Sequence, residues 1–256
     1  MDTSELKIVI CSYAYRDKRI VETIENAIAL CDNPERIGYS VVVQDSYYHA
    51  IKKYDNLYCA EVSYLPWTVT AGFAYNRFSS IHRIPKNPYL LFIMPGTKFS
   101  KSWDTELIKM IQNNDCSISF KENVFSLYGT LIKKSNLLNI YYPQYLKKNG
   151  EEEDISIKLY CSGIKITNGI DRVITKGESK VWDHIQFSIH HNYRQVEDLY
   201  FLGKNKYCEL PDNFVEYAKL YPIKKLPFVL DDPEYSFSVP PPPKPVDRFM
   251  NRKNKI

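Results

Sequence analysis

Two short apolar runs constrain the fold most strongly, LKIVICSY from Leu6 and IGYSVVVQDS from Ile37, with RDKRIVETIENAIALCDNPER between them. Runs of this length and make-up are typical of parallel strands buried on both faces. In the intervening segment Ile20, Ile24, Ala27, Ile28 and Cys31 recur at helical spacing. Asn33-Pro34 ends that helix, because the residue before a proline avoids the α region. Strand, helix and strand in that order predict a βαβ unit with a right-handed crossover, and hence a mostly parallel sheet flanked by helices.

The rest of the chain extends this pattern. A weaker strand is expected from Leu57 to Val62, a helix from about Ala71 to His82, and a strong central strand in YLLFIM. SWDTELIKMIQ reads as a helix with Ser102 as its cap. Alternation in CSISF and NVFSLYGTLI predicts antiparallel strands added on one side. In GEEEDISIKLYCSG, Ile155, Leu159 and Tyr160 share one helical face, and Gly163 stops the helix. A last strand is expected near VWDHIQFSIHH, followed by two short helices.

Residues 1–230 are thus expected to form one α/β domain, which a chain of 256 residues is long enough to support. Residues 231–256 contain PPPPKPVDRFMNRKNKI, which cannot bury a core and reads as a polyproline spacer with a basic, disordered tip. No stretch approaches the ~18 apolar residues of a membrane span, and the acidic start MDTSELK is unlike a secretory signal. Six scattered cysteines without a C-x-x-C pair fit free thiols in a reducing compartment. The expected location is cytoplasmic, that of a host if the abundance of Lys, Asn, Ile and Tyr reflects a phage genome. A net charge of +4 tolerates an anionic ligand without demanding one.

Open parallel sheets bind ligands beyond the carboxyl ends of their strands. Three such ends carry polar groups: Tyr13 to Asp17 (with Tyr15 and Arg16), Gln44-Asp45-Ser46, and the Met94-Pro95-Gly96 loop through Lys98. In AGFAYNRF, Gly72 allows close backbone approach, and Asn76 and Arg77 suit a diphosphate clamp; a surface salt bridge is the plainer use of that arginine. Glu151, Glu152, Glu153 and Asp154 open a helix, where acids complement the dipole. One of these carboxylates could instead accept a proton from an attacking hydroxyl. His184, His190 and His191 cluster late in the chain, and His191 is a weak candidate for a metal or phosphate contact. P-loop, dinucleotide, zincin and serine-hydrolase signatures are absent from the sequence.

Several of these segments resemble the cytosolic polypeptide N-acetylglucosaminyltransferase (Skp1-type GlcNAc-transferase) family. Tyr15, Arg16, Asp17, Thr23, Ile24, Asn33, Pro34, Arg36 and Gln44 stand in register with its opening, and Ala71, Gly72 and Arg77 with its Ala-Gly-x-x-x-Ala-Arg segment. Phe99, Trp103 and Asp104 match its Phe-x-x-x-Trp-Asp segment; Gly150, Glu151, Glu152, Leu159 and Gly163 match its Gly-Glu-Glu block. The resemblance implies a GT-A, Rossmann-like glycosyltransferase that takes a nucleotide sugar, UDP-linked by preference, and retains the anomeric configuration. It implies nucleotide contacts at Tyr15 to Asp17 and Gln44-Asp45, diphosphate contact at Arg77, and Glu151 and Glu152 on the acceptor side with Trp103 and Asp104.

Two departures stand out. Met94-Pro95-Gly96 replaces the family's Asp-Ser-His, which holds a divalent cation (Mn or Mg), and Cys161-Ser162 replaces its Thr-His. A hard cation wants oxygen ligands that Met and Gly side chains lack. Fixed cations such as Arg77, Lys98, His191 or Arg194 would then balance the leaving diphosphate. The expected acceptor is either a hydroxylated protein or a hydroxymethylated or glycosylated base of phage DNA. For DNA, phosphate contacts would come from Lys133-Lys134, Lys147-Lys148, Lys224-Lys225 or the tail. The competing expectation is a catalytically inactive GT-A-like protein that binds a nucleotide sugar or a partner.

Overall fold

A computed structural model describes residues 7–15, 17–44, 57–61, 81, 84, 87–112, 116–138 and 151–177 of the chain. All lie in the compact unit Met1–Ile223. The expected helix over 71–82, the late strand and helices, and the 231–256 tail fall outside the described residues.

The βαβ unit forms as its sequence dictates. Strand β1 (Ile8–Tyr15) leads into helix α1 (Arg19–Leu30), a 3-10 turn at Pro34–Arg36 and strand β2 (Ile37–Gln44). β1 pairs β2 in parallel from Ile8↔Ile37 to Tyr15↔Gln44. Strand β3 (Leu57–Glu61) adds outside β2, also parallel. On the other side of β1 runs β4 (Tyr89–Phe92), parallel from Ile8↔Tyr89 to Cys11↔Phe92.

Beyond β4, β5 (Lys98–Phe99) and helix α2 (Trp103–Gln112) precede β6 (Ser117–Ser119) and β7 (Thr130–Lys133). Helix α3 (Lys134–Leu138) follows β7 directly, and helix α4 (Glu151–Cys161) precedes β8 (Ile166–Asn168) and β9 (Ile174–Thr175). The main sheet has the order β3-β2-β1-β4-β7-β6-β8. β7 is antiparallel to β4 and to β6, so the alternating segments do form the expected antiparallel pair. β8 runs parallel to β6. A second, two-stranded sheet joins β5 to β9 in antiparallel register, Phe99↔Ile174.

Strand alternation splits the core into two layers. Ile8 and Ile10 pack on one side of the sheet with Ile20, Ile24 and Ala27 of α1 and Trp103, Leu107 and Ile111 of α2. Val9 and Cys11 pack on the other with Leu90, Phe92, Phe125, and Ile155 and Leu159 of α4. Because helices cover both faces, β1 is buried from Ile8 through Ala14, which is why its sequence reads as an unbroken apolar run.

Three local readings change. Helix α4 is not one-faced: Ile155 through Leu159 are all buried, Ser156 and Lys158 included. It ends as expected, in a Schellman motif. Gly163 (φ +73°) donates its N–H to Tyr160 and the next residue, Ile164, donates to Leu159. Ser102 precedes α2 but sits at φ +61°, and its hydroxyl donates to the Asp32 carboxylate, so it does not cap the helix through its side chain. Finally, β8 and β9 were not expected; strands of three and two residues are too short for alternation to register.

Candidate functional site

The order of the parallel strands fixes where a ligand would enter. From β1 the chain steps outward to β2 and β3, then returns to the opposite side of β1 for β4. Crevices form at such reversals, beyond the strands' carboxyl ends. Here that edge consists of Tyr15 and its register partner Gln44, Asp17 at the entry to α1, and Met94-Pro95-Gly96 after β4. For Tyr15 and Gln44 the backbone alone is described.

The Met94-Pro95-Gly96 segment is a tight turn. The Thr97 N–H donates to the Met94 carbonyl at 3.2 Å, and Gly96 has φ +89°. Proline at the second position and a left-handed glycine at the third are the requirements of a type II turn. Neighbours pin it on every side. The Gly96 N–H donates to Thr23 Oγ1 (2.8 Å), and the Thr23 hydroxyl donates to the Arg19 carbonyl (2.8 Å). The Thr97 hydroxyl donates to the Met94 carbonyl at 2.7 Å. Gly177 presses on the far side, where a Cβ would stand 2.8 Å from the Pro95 carbonyl oxygen and 2.9 Å from the Thr97 nitrogen.

Against this turn lies an ion pair that periodicity could not reveal. Arg19 grips Asp17 in two-pronged fashion, Nε to Oδ1 at 2.9 Å and Nη2 to Oδ2 at 2.6 Å. Asp17 Oδ1 also accepts the Arg19 backbone N–H at 3.1 Å, holding the first turn of α1. Arg19 Nη1 comes within 3.2 Å of where a Cβ on Gly96 would be. A side chain at position 96 would therefore crowd the guanidinium.

The donor set does not fit a divalent cation. Side chains of Met94, Pro95 and Gly96 offer no oxygen, and the Met94 carbonyl already accepts two hydrogen bonds. Asp17, at the neighbouring strand end, is committed to Arg19. Among the described residues no group of three His, Cys, Asp or Glu is placed to hold a metal ion. The cation that the resembled family holds on Asp-Ser-His thus finds no fitting donor set among the described residues of this turn, beside which Arg19 stands.

Glu152 does a positional job. Its Oε1 accepts the Leu127 N–H at 2.5 Å and the Ser126 hydroxyl at 3.3 Å. One turn on, Ser156 Oγ accepts the Phe125 N–H at 2.9 Å. Together they fix the loop that carries Tyr128, whose ring lies 4.4 Å from Lys176 Nζ. Glu151 begins α4, with only its backbone described. Cys161 ends that helix, and burial pushes its thiol up to about 11.

Trp103 and Asp104 tie α2 to α1. The Trp103 indole is fully buried and donates to the Ala27 carbonyl at 2.8 Å. The Asp104 carboxylate accepts the backbone N–H groups of Asp32 (2.8 Å) and Asn33 (3.0 Å), just past the end of α1. These bonds give both residues a structural part in joining the two helices. Lys134 is also not the surface phosphate contact expected of it: its ammonium is buried and donates to the Ile84 carbonyl, and desolvation lowers its pKa. Lys98, on β5, and Lys133 are exposed. Arg16, Asp45, Gly72, Asn76, Arg77, His191 and Arg194 lie outside the described residues.

The chain matches no protein family and no curated protein. Solved structures do match it. One is residues 1–349 of S. aureus TarS in complex with UDP, with TM-score 0.57 and 15% identity over 75% of this chain and 64% of that one. Another is the mannosyltransferase PcManGT from Pyrobaculum calidifontis with GDP-Man and Mn2+, with TM-score 0.60 and 12% identity over 86% and 71%. GalNAc-T7 with UDP, GalNAc and Mn2+ matches at TM-score 0.59 and 11% identity over 88% and 53%. The chain has the GT-A glycosyltransferase fold. It spans 64% of that TarS chain. At identities this low the GT-A likeness is one of architecture. The expectation of a GT-A α/β sheet with added antiparallel strands is met, and the switch-point edge is where such a fold presents a ligand site.

Proposed function

We propose that this protein is a glycosyltransferase that moves a sugar from a nucleotide-sugar donor to an acceptor hydroxyl, with a UDP-sugar as the favoured donor. The carrying observation is the β1/β4 strand reversal, with Asp17, Arg19 and the Pro95-Gly96 turn gathered at its open end. The register of Tyr15, Asp17, Arg77 and the Gly150-Glu151-Glu152 block with the polypeptide GlcNAc-transferases supports a hexosyl or N-acetylhexosaminyl donor and retention of configuration. In this reading Tyr15, Arg16, Gln44 and Asp45 hold the nucleoside, and Gly72, Asn76 and Arg77 contact the diphosphate. Glu151 and Glu152 face the acceptor hydroxyl, and Glu152 also braces the 125–128 loop. Acceptor candidates remain a hydroxylated protein or a modified base of phage DNA.

Hydrolysis of activated sugars tests this reading. The intact chain, incubated with UDP-GlcNAc, UDP-Glc and GDP-Man, is expected to release nucleotide slowly from one of them. Binding is checked by thermal shift, since a ligand at 100 times its dissociation constant stabilises by about 2.7 kcal/mol. The second reading, a protein that binds the donor without turnover, is favoured by the carboxylate-free turn at Met94-Pro95-Gly96. Thermal stabilisation without any nucleotide release selects it; steep loss of DNA affinity with added salt would select the DNA acceptor.

A further inference from the structure

We infer that Arg19 is the built-in cation of the diphosphate site, standing at the β4 turn in place of a metal ion. The inference rests on the nucleotide-sugar reading above and adds to it the residue that neutralises the leaving group. Four observations carry it. Arg19 lies at the strand reversal between β1 and β4, where the fold opens to a ligand. Its Nη1, on the side of the guanidinium away from the Asp17-bound edge, is the atom that reaches the Gly96 turn, at 3.2 Å from a Cβ position there. Asp17 fixes the guanidinium plane by the paired contacts at 2.9 and 2.6 Å, so little side-chain freedom is left to lose on binding. Yet the side chain keeps 29% of its surface exposed, unlike a buried structural arginine.

The surroundings are arranged for this use. Gly96 has no Cβ to displace the guanidinium, and the type II turn sets its own N–H on Thr23, so the loop is rigid before any ligand arrives. Thr23 in turn donates to the Arg19 carbonyl, linking turn and arginine in one network. A metal would add a second positive charge beside a fixed guanidinium, and the Asp17 carboxylate is already paired with that guanidinium. Pre-oriented donors can take over the charge stabilisation of a leaving group. As the sugar–oxygen bond of the donor breaks, the bonding pair stays on the diphosphate, the anomeric carbon bonds to the acceptor oxygen, and the acceptor hydroxyl's proton passes to the departing diphosphate or to water. The growing negative charge there is met by the Arg19 N–H donors, with no proton transferred from the arginine.

Calorimetric titration of the full chain with UDP, and separately with GDP, tests the assignment in EDTA and in Mn2+. The wild type is expected to bind one of them with affinities that agree within about twofold between EDTA and Mn2+. Arg19→Met is expected to weaken binding by about tenfold to a hundredfold, the range for losing charge-assisted hydrogen bonds. Arg19→Lys, which keeps charge but not the two-pronged geometry, should fall between them. Thermal midpoints of the variants, measured alongside, establish that they are folded; Asp17→Asn, which leaves the arginine but loosens it, should weaken binding less than Arg19→Met. Binding that requires Mn2+ and is equal in wild type and a folded Arg19→Met would overturn this inference and leave the glycosyltransferase reading intact. Absence of UDP and GDP binding by the folded wild type in both conditions would instead overturn the nucleotide-sugar reading itself, and this inference with it.

Discussion

Asp32 and Asp104 hold the ends of each other's helices. The Asp104 carboxylate accepts the Asp32 backbone N–H at 2.8 Å, while the Asp32 carboxylate accepts the hydroxyls of Ser102 (2.9 Å) and Thr105 (2.7 Å) around the start of α2. The clamp anchors α2, and through the Trp103 indole it anchors α1, whose first turn carries Arg19. Asp104→Ala strands two backbone N–H groups and is expected to destabilise the chain by about 2–3 kcal/mol. Asp104→Asn, which keeps one acceptor oxygen, should lose less. Urea unfolding reads this as a lower midpoint with an unchanged slope.

The same clamp gives the stability a dependence on acid. Hydrogen bonds from Thr105 first and Ser102 second hold the Asp32 carboxyl below its ordinary value of 3.8. A carboxyl depressed in the folded state contributes stability that is complete above the unfolded-state value and is lost as pH falls through the folded-state value. The advantage of wild type over Asp32→Ala in thermal midpoint should therefore be full at neutral pH and shrink only below that ordinary value. A gap that grows on acidification would contradict the sign.

Two glycines guard the turn. Gly177→Ala places a methyl 2.8 Å from the Pro95 carbonyl oxygen, so the turn backbone must move. Gly96→Ala meets a left-handed φ of +89° and the Arg19 guanidinium together. Each is expected to lower stability by about 1–3 kcal/mol and to weaken UDP binding more than Gly163→Ala. Gly163 also has positive φ, but its Cβ would meet nothing within 4 Å. Thermal denaturation and UDP titration on the three variants separate backbone strain from damage to the site.

Thiol chemistry should be quiet at Cys31 and Cys161 of the folded chain. Burial first and the Asp104 charge second push Cys31 up to about 11, and burial alone takes Cys161 to about 11. Since the thiolate is the reactive form, alkylation of both by iodoacetamide near neutral pH should be slow in buffer and fast in urea. Peptide mapping of the labelled protein checks this site by site.

The parallel sheet was legible because β1 and β2 are buried on both faces and show it as continuous apolar runs, and because Pro34 and Gly163 mark helix ends by backbone chemistry alone. The site was legible in part. Pro95-Gly96 was read as a lost metal motif, whereas its dihedral requirement is a type II turn. Arg19 escaped notice because Asp17 and Arg19 fall at the junction of a strand and a helix, where no single period applies, and its target, Gly96, is brought near by the β1–β4 pairing. Gly177 is remote in sequence from the turn it touches, so no local signal marks it. Glu152, Trp103 and Asp104 were singled out through their resemblance to functional positions; the hydrogen bonds that tie each of them to backbone elsewhere in the fold had no local signal.

The most direct measurement is a crystal structure of the full chain grown with UDP and EDTA. The account predicts the diphosphate beyond the carboxyl ends of β1 and β4, with an oxygen within hydrogen-bond distance of the Arg19 guanidinium and the Pro95-Gly96 turn unmoved. Nucleotide bound elsewhere, or a strand edge filled by the protein's own side chains with no nucleotide in it, would contradict it.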